Sequence, residues 1–236
     1  MKKKRKKSYP SNSLVTFTDP RSPVAEAYRS LRTNIQFSGL EKPIRSILVT
    51  GATPYIGKST VSANLAVILA QSGASVLVVD ADLRRPTLHK MFEVDNQRGL
   101  TNLLLDSALS PQSVIQKTMI EGLQVMASGP LPPNPAELLA MEKMKRLMDT
   151  LLQLYDYVIY DSPPVMAVTD ATVLSRQVDG TILTLGYGKV TREEAVYAKE
   201  QLEKVQANII GVIINGVPTS RKRYQYYYYY YAGEKR

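Results

Sequence analysis

The residues of this 236-residue chain best placed to do chemistry are a Gly-Lys-Ser-Thr run and three aspartates. An apolar run at 47–50 leads into Gly51-Ala52-Thr53-Pro54-Tyr55-Ile56-Gly57-Lys58-Ser59-Thr60, and a helical pattern follows. Strand, loop, Gly-Lys-Ser-Thr and helix is a phosphate cradle. Backbone N–H groups and the helix N-terminus face the phosphates, the lysine reaches the outer ones, and the next hydroxyl binds Mg²⁺. Thr53, Pro54, Tyr55, Ile56, Gly57, Lys58, Ser59 and Thr60 are therefore the candidate nucleotide-binding residues. Two features depart from the usual loop. Ala52 occupies the first glycine position, and Tyr55-Ile56 stand where small residues are normal.

A second apolar run at 76–79 ends in Asp80-Ala81-Asp82-Leu83-Arg84-Arg85-Pro86, and a third at 157–160 ends in Asp161-Ser162-Pro163-Pro164. One aspartate at a strand end commonly caps the next helix. Two carboxylates two residues apart, however, cannot both be buried without a cation or donors. Three of them beside a phosphate loop match a Mg²⁺–nucleotide site, in which oxygen ligands and water hold the metal against substrate phosphates.

The elements that must position these groups are legible as alternating patterns. Short β-branched runs at 46–50, 75–80, 123–127, 157–161, 180–185 and 209–215 are separated by helical stretches such as 60–71, 135–154 and 192–206. Near-continuous apolar strands between helices predict an α/β fold: a doubly wound, mostly parallel sheet with helices on both faces, of P-loop NTPase type. Ligands of such sheets bind outside the carboxyl ends of the strands, where the three aspartates fall. Residues 1–21, polar and punctuated by Pro10 and Pro20, read as a flexible basic arm. Residues 22–217 read as the P-loop domain and 218–236 as a flexible tyrosine-rich tail. Ser22-Pro23 is a helix start. Val24, Tyr28, Leu31 and Ile35 follow on one stripe, with Glu26, Arg29 and Arg32 on the far side.

Composition narrows the function classes. With no cysteine, disulfides, thiolate zinc sites and cysteine nucleophiles are excluded, and a single histidine, His89, argues against histidine-based metal cages or triads. The net charge of +9 resides in the ends. Lys2, Lys3, Lys4, Arg5, Lys6 and Lys7 supply six positives and residues 221–236 a net four, leaving the body at −1. A nucleic-acid binder should carry its basic stripe on the fold itself, so no specific nucleic-acid partner is expected. A polybasic segment at Lys2–Lys7 suits an anionic membrane surface, at about 1 kcal/mol per residue. No apolar run reaches the roughly 18 residues of a membrane span, and no apolar segment follows the basic start, so a cytoplasmic location is the simplest expectation. Seven of the fifteen tyrosines fall in residues 224–231. Tyrosine prefers a buried ring, so surface composition explains this cluster badly.

Together these segments resemble the bacterial tyrosine kinases, P-loop proteins of capsular and exopolysaccharide systems. The likeness covers nearly the whole chain. It includes Glu26-x-x-Arg29-x-x-Arg32, the Walker A loop and the Walker A′ run ending Asp80-Ala81-Asp82-Leu83-Arg84. It continues through Ser128-Gly129-Pro130-Leu131-Pro132-Pro133-Asn134-Pro135, the Walker B run ending Asp161-Ser162-Pro163-Pro164, and the terminal tyrosines. The resemblance implies an ATP- and Mg²⁺-dependent tyrosine autokinase of the separate cytoplasmic type, regulating polysaccharide production. Lys58, Asp80 and Asp82 would be catalytic: Lys58 would neutralise charge on the transferred phosphoryl group and Asp80 would act as base. Ser59, Asp82 and Asp161 would hold the metal, and Asn215 would contact the nucleotide base. Tyr224, Tyr226, Tyr227, Tyr228, Tyr229, Tyr230 and Tyr231 would be phosphoacceptors. Glu26, Arg29 and Arg32 would build a ring-like homo-oligomer in which tails are modified in trans. A membrane adaptor of polysaccharide co-polymerase type would bring the kinase to the inner face of the plasma membrane. Either a Tyr55 held at φ > 0 would be strained or the loop would take another shape, and weak activity is expected unless an adaptor reshapes it. Two other classes fit parts of the pattern: a ParA/MinD-like ATPase switch and a nucleotide-binding scaffold. The first calls for an extra lysine early in the phosphate loop, and positions 51–56 have none.

Overall fold

The structure, a computed structural model, describes residues 13–39 and 42–218. Seven strands form one sheet among them: β1 (Ser46–Gly51), β2 (Val76–Asp80), β3 (Ile115–Lys117), β4 (Leu123–Met126), β5 (Tyr157–Asp161), β6 (Gly180–Gly186) and β7 (Ile209–Asn215). Their order is β3-β4-β2-β5-β1-β6-β7, parallel throughout except for β3 against β4. The period-two side-chain alternation of a strand divides the apolar runs between two faces. Ile47, Val49, Val76, Val78 and Ile159 point to one layer; Leu48, Leu77, Val79, Val158 and Tyr160 point to the other. The first layer is completed by α1 (Val15–Thr18), α2 (Pro23–Ser38), α3 (Lys58–Ala70) and α4 (Leu88–Met91). The second holds α5 (Leu100–Leu105), α6 (Pro135–Ala140) and α7 (Glu142–Leu154). Over β6 lie α8 (Asp170–Ser175) and α9 (Arg192–Lys204). The doubly wound fold is thus as expected, and the carboxyl ends of the adjacent parallel strands β2, β5 and β1 lie side by side at one edge of the sheet.

Three expectations need correcting. The helix predicted over 135–154 breaks at Met141, whose extended backbone (φ −64°, ψ 144°) separates α6 from α7. The short antiparallel strand β3 was not expected, because Ile-Gln-Lys is too brief to carry a period. Finally, the flexible arm does not extend to residue 21. Leu14 is fully buried, and α1 is fastened to α3 by Asn64: Thr16 Oγ1 and Thr16 N donate to Asn64 Oδ1 at 2.8 and 3.0 Å, and Asn64 Nδ2 donates to the Ser13 carbonyl at 2.7 Å. Residues 1–12, with Lys2–Lys7, and residues 219–236, with the tyrosine cluster, lie outside the described residues.

The start of α2 follows the sequence reading. Ser22 Oγ accepts from Ala25 N at 3.1 Å with Pro23 in the first turn, and Tyr28 and Ile35 are buried in the core beneath it.

Candidate active site

The phosphate loop is shaped by what its glycines permit. Gly57, at φ 92°, caps α3, and a Cβ there would lie 2.1 Å from Asn215 Nδ2. That amide donates to the Ile56 carbonyl at 2.9 Å, so the end of β7 pins the loop. Asn215, expected to meet a nucleotide base, directs its amide nitrogen at the loop backbone. Ile56 is buried between two glycines: a Cβ on Gly51 or Gly186 would come within 2.6 or 2.9 Å of its side chain. A bulky residue is therefore accommodated where small ones are usual. The close approach falls on Gly51, where an added Cβ would also come within 2.9 Å of Lys58 Cγ, and the fully buried Ala52 needs no such freedom.

Tyr55 has the left-handed backbone anticipated for it, φ 60°, which costs a non-glycine residue roughly 1–2 kcal/mol. Its side chain is 78% exposed. The Arg85 guanidinium lies 5.5 Å from the ring centroid and hydrogen-bonds the phenolic oxygen, while Lys189 Nζ donates to the Tyr55 carbonyl at 3.4 Å.

The carboxylates meet at the same edge. Asp80 and Asp161 are register partners at the ends of β2 and β5, and both are fully buried. Asp80 Oδ2 accepts from Thr87 N and Leu88 N at 3.0 and 2.9 Å, capping α4, while Oδ1 has no partner. Asp161 Oδ1 accepts from Ser62 Oγ at 2.9 Å, and its Oδ2 has none. Burial first, then the Asp161 and Asp82 charges, raises the Asp80 pKa well above the ordinary carboxylate range. Burial likewise lifts Asp161, to about 6, with Ser59, Lys58 and Ser62 restraining the rise. Asp82 Oδ1 closes a turn, accepting from Arg84 N and Arg85 N at 3.3 and 2.9 Å.

This geometry fits a magnesium–nucleotide pair. Two buried carboxylate oxygens lack partners, and a cation would satisfy them, while the buried Lys58 and the N-terminus of α3 stand ready for phosphates. Among the described residues no three carboxylate or imidazole side chains form a metal cage by themselves. That suits Mg²⁺, which takes one or two carboxylates and completes its shell with water and phosphate oxygens.

Lys58, Ser59, Asp80, Asp82 and Asp161 are thus brought together. Glu26, Arg29 and Arg32 lie on α2, half-buried, with Arg29 Nη1 paired to Glu26 Oε2 at 2.6 Å. Sequence reasoning missed Ser62, although it sits one turn beyond Lys58 on α3. It also gave no role to the Arg84–Asp170 pair, in which the guanidinium binds both oxygens of a fully buried carboxylate at 3.0 and 2.9 Å. Nothing in the local sequence links residues 84 and 170.

A family model described as ParA, NUBPL iron-transfer P-loop NTPase, matches residues 44–232. The tyrosine-protein kinase YwqD of Bacillus subtilis is 42% identical over 219 residues, covering 93% of this chain and 92% of that protein. The tyrosine-protein kinase etk of Escherichia coli is 40% identical over 84% of this chain, which spans only 27% of that longer protein. The crystal structure of the chimerical protein CapA2B2 superposes with a TM-score of 0.84 at 40% identity, covering 88% of this chain and 91% of that one.

Proposed function

The chain belongs to the bacterial tyrosine kinases, ParA-type P-loop proteins that transfer phosphate from ATP to protein tyrosine, and we propose that its own terminal tyrosines are the acceptors, modified between copies. The observation that carries this reading is the unpartnered Asp80 Oδ1 at the sheet edge, on the register partner of Asp161, whose carboxylate in turn feels the Lys58 charge. A phenol with a pKa of about 10 needs a base to become a good nucleophile, and a buried carboxylate with an elevated pKa is matched to that task. Lys58 and the α3 N-terminus orient the phosphates and offset charge on the transferred group. Ser59, Asp82 and Asp161 would hold magnesium, directly or through water, and the ion would supply positive charge at this acidic edge. Ser62 holds Asp161 in place through its 2.9 Å hydrogen bond.

From Pro218, thirteen further residues reach Tyr231, about 45 Å when extended, enough to enter a neighbouring copy's site. Glu26, Arg29 and Arg32 would join copies into a ring, and phosphate accumulating on the tails would loosen it by like-charge repulsion. The family resemblance supports an adaptor at the inner face of the membrane and a role in capsular or exopolysaccharide production, with Lys2–Lys7 assisting at the leaflet. No helix among the described residues is long and apolar enough to cross a membrane.

The test is mass spectrometry of the tail after incubation of the purified chain with Mg-ATP, with and without membrane fractions, beside Lys58→Met. Phosphate on residues 224–231 that is absent in Lys58→Met supports the reading. A tail that stays unmodified while ATP binds would favour a scaffold.

A further inference from the structure

We propose that Tyr55, at the lip of the phosphate loop, is itself a phosphoacceptor, and that its phosphate closes the loop to ATP. The inference rests on the kinase reading above but concerns a different acceptor. The tail tyrosines were singled out by their number. Tyr55 is singled out by its setting. It is an aromatic residue held in left-handed backbone two positions before Gly57, in the segment whose N–H groups cradle phosphates. The residue is 78% exposed, so a second copy can reach it.

Three observations suit this oxygen to a phosphate. Arg85 already donates to it and covers the ring face at 5.5 Å. A phosphorylated oxygen would exchange that neutral acceptor for a dianion, and guanidinium–phosphate pairs are among the strongest hydrogen-bonded contacts in proteins. A second cation, Lys189, stands at the Tyr55 carbonyl. Arg85 also belongs to the turn closed by Asp82, its own N–H donating to Asp82 Oδ1 at 2.9 Å. Drawing Arg85 onto a phosphate therefore acts on the loop that carries a magnesium-site carboxylate.

The step balances as ordinary phosphoryl transfer. The Tyr55 oxygen of one copy attacks the γ-phosphorus of ATP held by another, the bond to ADP breaks, and the phenolic proton passes to that copy's Asp80. The modified lip then carries about −2 charge beside a cradle built for anions, and it repels the β- and γ-phosphates of incoming ATP. Activity would thus limit itself: copies that have fired often lose nucleotide affinity, apart from any loosening of the ring by the tails.

The experiment mixes wild-type chain with Lys58→Met and Mg-ATP, then compares peptides spanning Tyr55 with peptides of the tail. The wild-type peptide, residues 46–58, ends at Lys58, and the variant's runs on, so the two are told apart by mass. The expected result is phosphate on Tyr55 of the variant only in the mixture. Tail phosphorylation with every Tyr55 peptide unmodified would overturn the inference while leaving the kinase reading intact. A second arm does not depend on autokinase activity. Phosphotyrosine is installed at position 55 by genetic encoding, and Mg-ATP binding is measured by titration. A loss of tenfold or more against the unmodified chain is expected, with the loss reduced in Arg85→Ala. Equal affinity would overturn the proposed closure.

Discussion

The two edges of the sheet treat buried charge in opposite ways. At the amino edge, before β1 and β6, Asp179 Oδ2 accepts from Arg45 N, Ser46 N and Ser46 Oγ at 3.1, 2.9 and 2.8 Å, and Lys42 pairs with its other oxygen at 3.1 Å. Arg45 in turn donates to the carbonyls of Leu152, Tyr155 and Asp156. Burial alone would raise the Asp179 pKa, but the Ser46, Lys42 and Arg45 donors hold it below the ordinary value. At the carboxyl edge, Asp80 and Asp161 are driven up by burial, and each keeps an oxygen without a partner. One edge is built for stability. The other is left incomplete until phosphates and a cation arrive, and that incompleteness marks the working end of the molecule.

Breaking the carboxyl edge should give the largest effect. Lys58→Met is expected to lower phosphate transfer by about 10³-fold or more, since it removes the buried cation facing the developing charge; a residual rate near wild type, followed by radiolabel or mass spectrometry, would remove Lys58 from the site. Disrupting the amino edge should unsettle the fold instead. Asp179→Ala strands the Ser46 donors and should cost about 2 kcal/mol. In a domain of this size that is a melting temperature lower by roughly 4–8 °C in calorimetry. Because the folded Asp179 pKa is depressed, its stabilisation is present at neutral pH and lost as pH falls through that value, so the variant and wild type should converge in acid. A smaller loss, about 1 kcal/mol, is expected for Thr16→Val, which removes the hydroxyl's hydrogen bond to Asn64 Oδ1 and keeps those made by the Thr16 N–H and the Ser13 carbonyl. The mildest change sharpens the comparison at the loop. Tyr55→Gly removes a strained, bulky residue from the lip and should raise nucleotide affinity severalfold in titration, and a measured loss of affinity would contradict that role.

What was legible in the sequence follows the same division. The phosphate loop, the three aspartates and the strands that carry them were readable because each depends on local spacing: β-branched runs end at the chemistry, and Gly57-Lys58-Ser59 begins α3. Of the two alternatives for Tyr55, a strained backbone or a reshaped loop, the structure shows left-handed backbone, a local property of that loop position. Contacts between distant segments were not readable. Leu14 and Thr16 look like part of a polar arm until Asn64, 48 residues on, supplies their partner. Nor does the sequence show that the Asn215 amide meets Ile56, 159 residues away in sequence. The break at Met141 lacks a proline or glycine to announce it.

The most direct test of the incomplete-edge account is Asp80→Asn, assayed both for melting temperature without ligand and for Mg-ATP-dependent phosphate transfer. The amide oxygen can still accept from Thr87 N and Leu88 N, so the α4 cap survives. A raised folded pKa means the ionised carboxylate opposes folding at neutral pH, so the neutral amide should stabilise the free protein, by a few degrees. Transfer should fall by 10²- to 10⁴-fold, the usual contribution of a positioned base. A variant that melts lower and still transfers phosphate at the wild-type rate would show Asp80 to be a structural cap and would contradict the account.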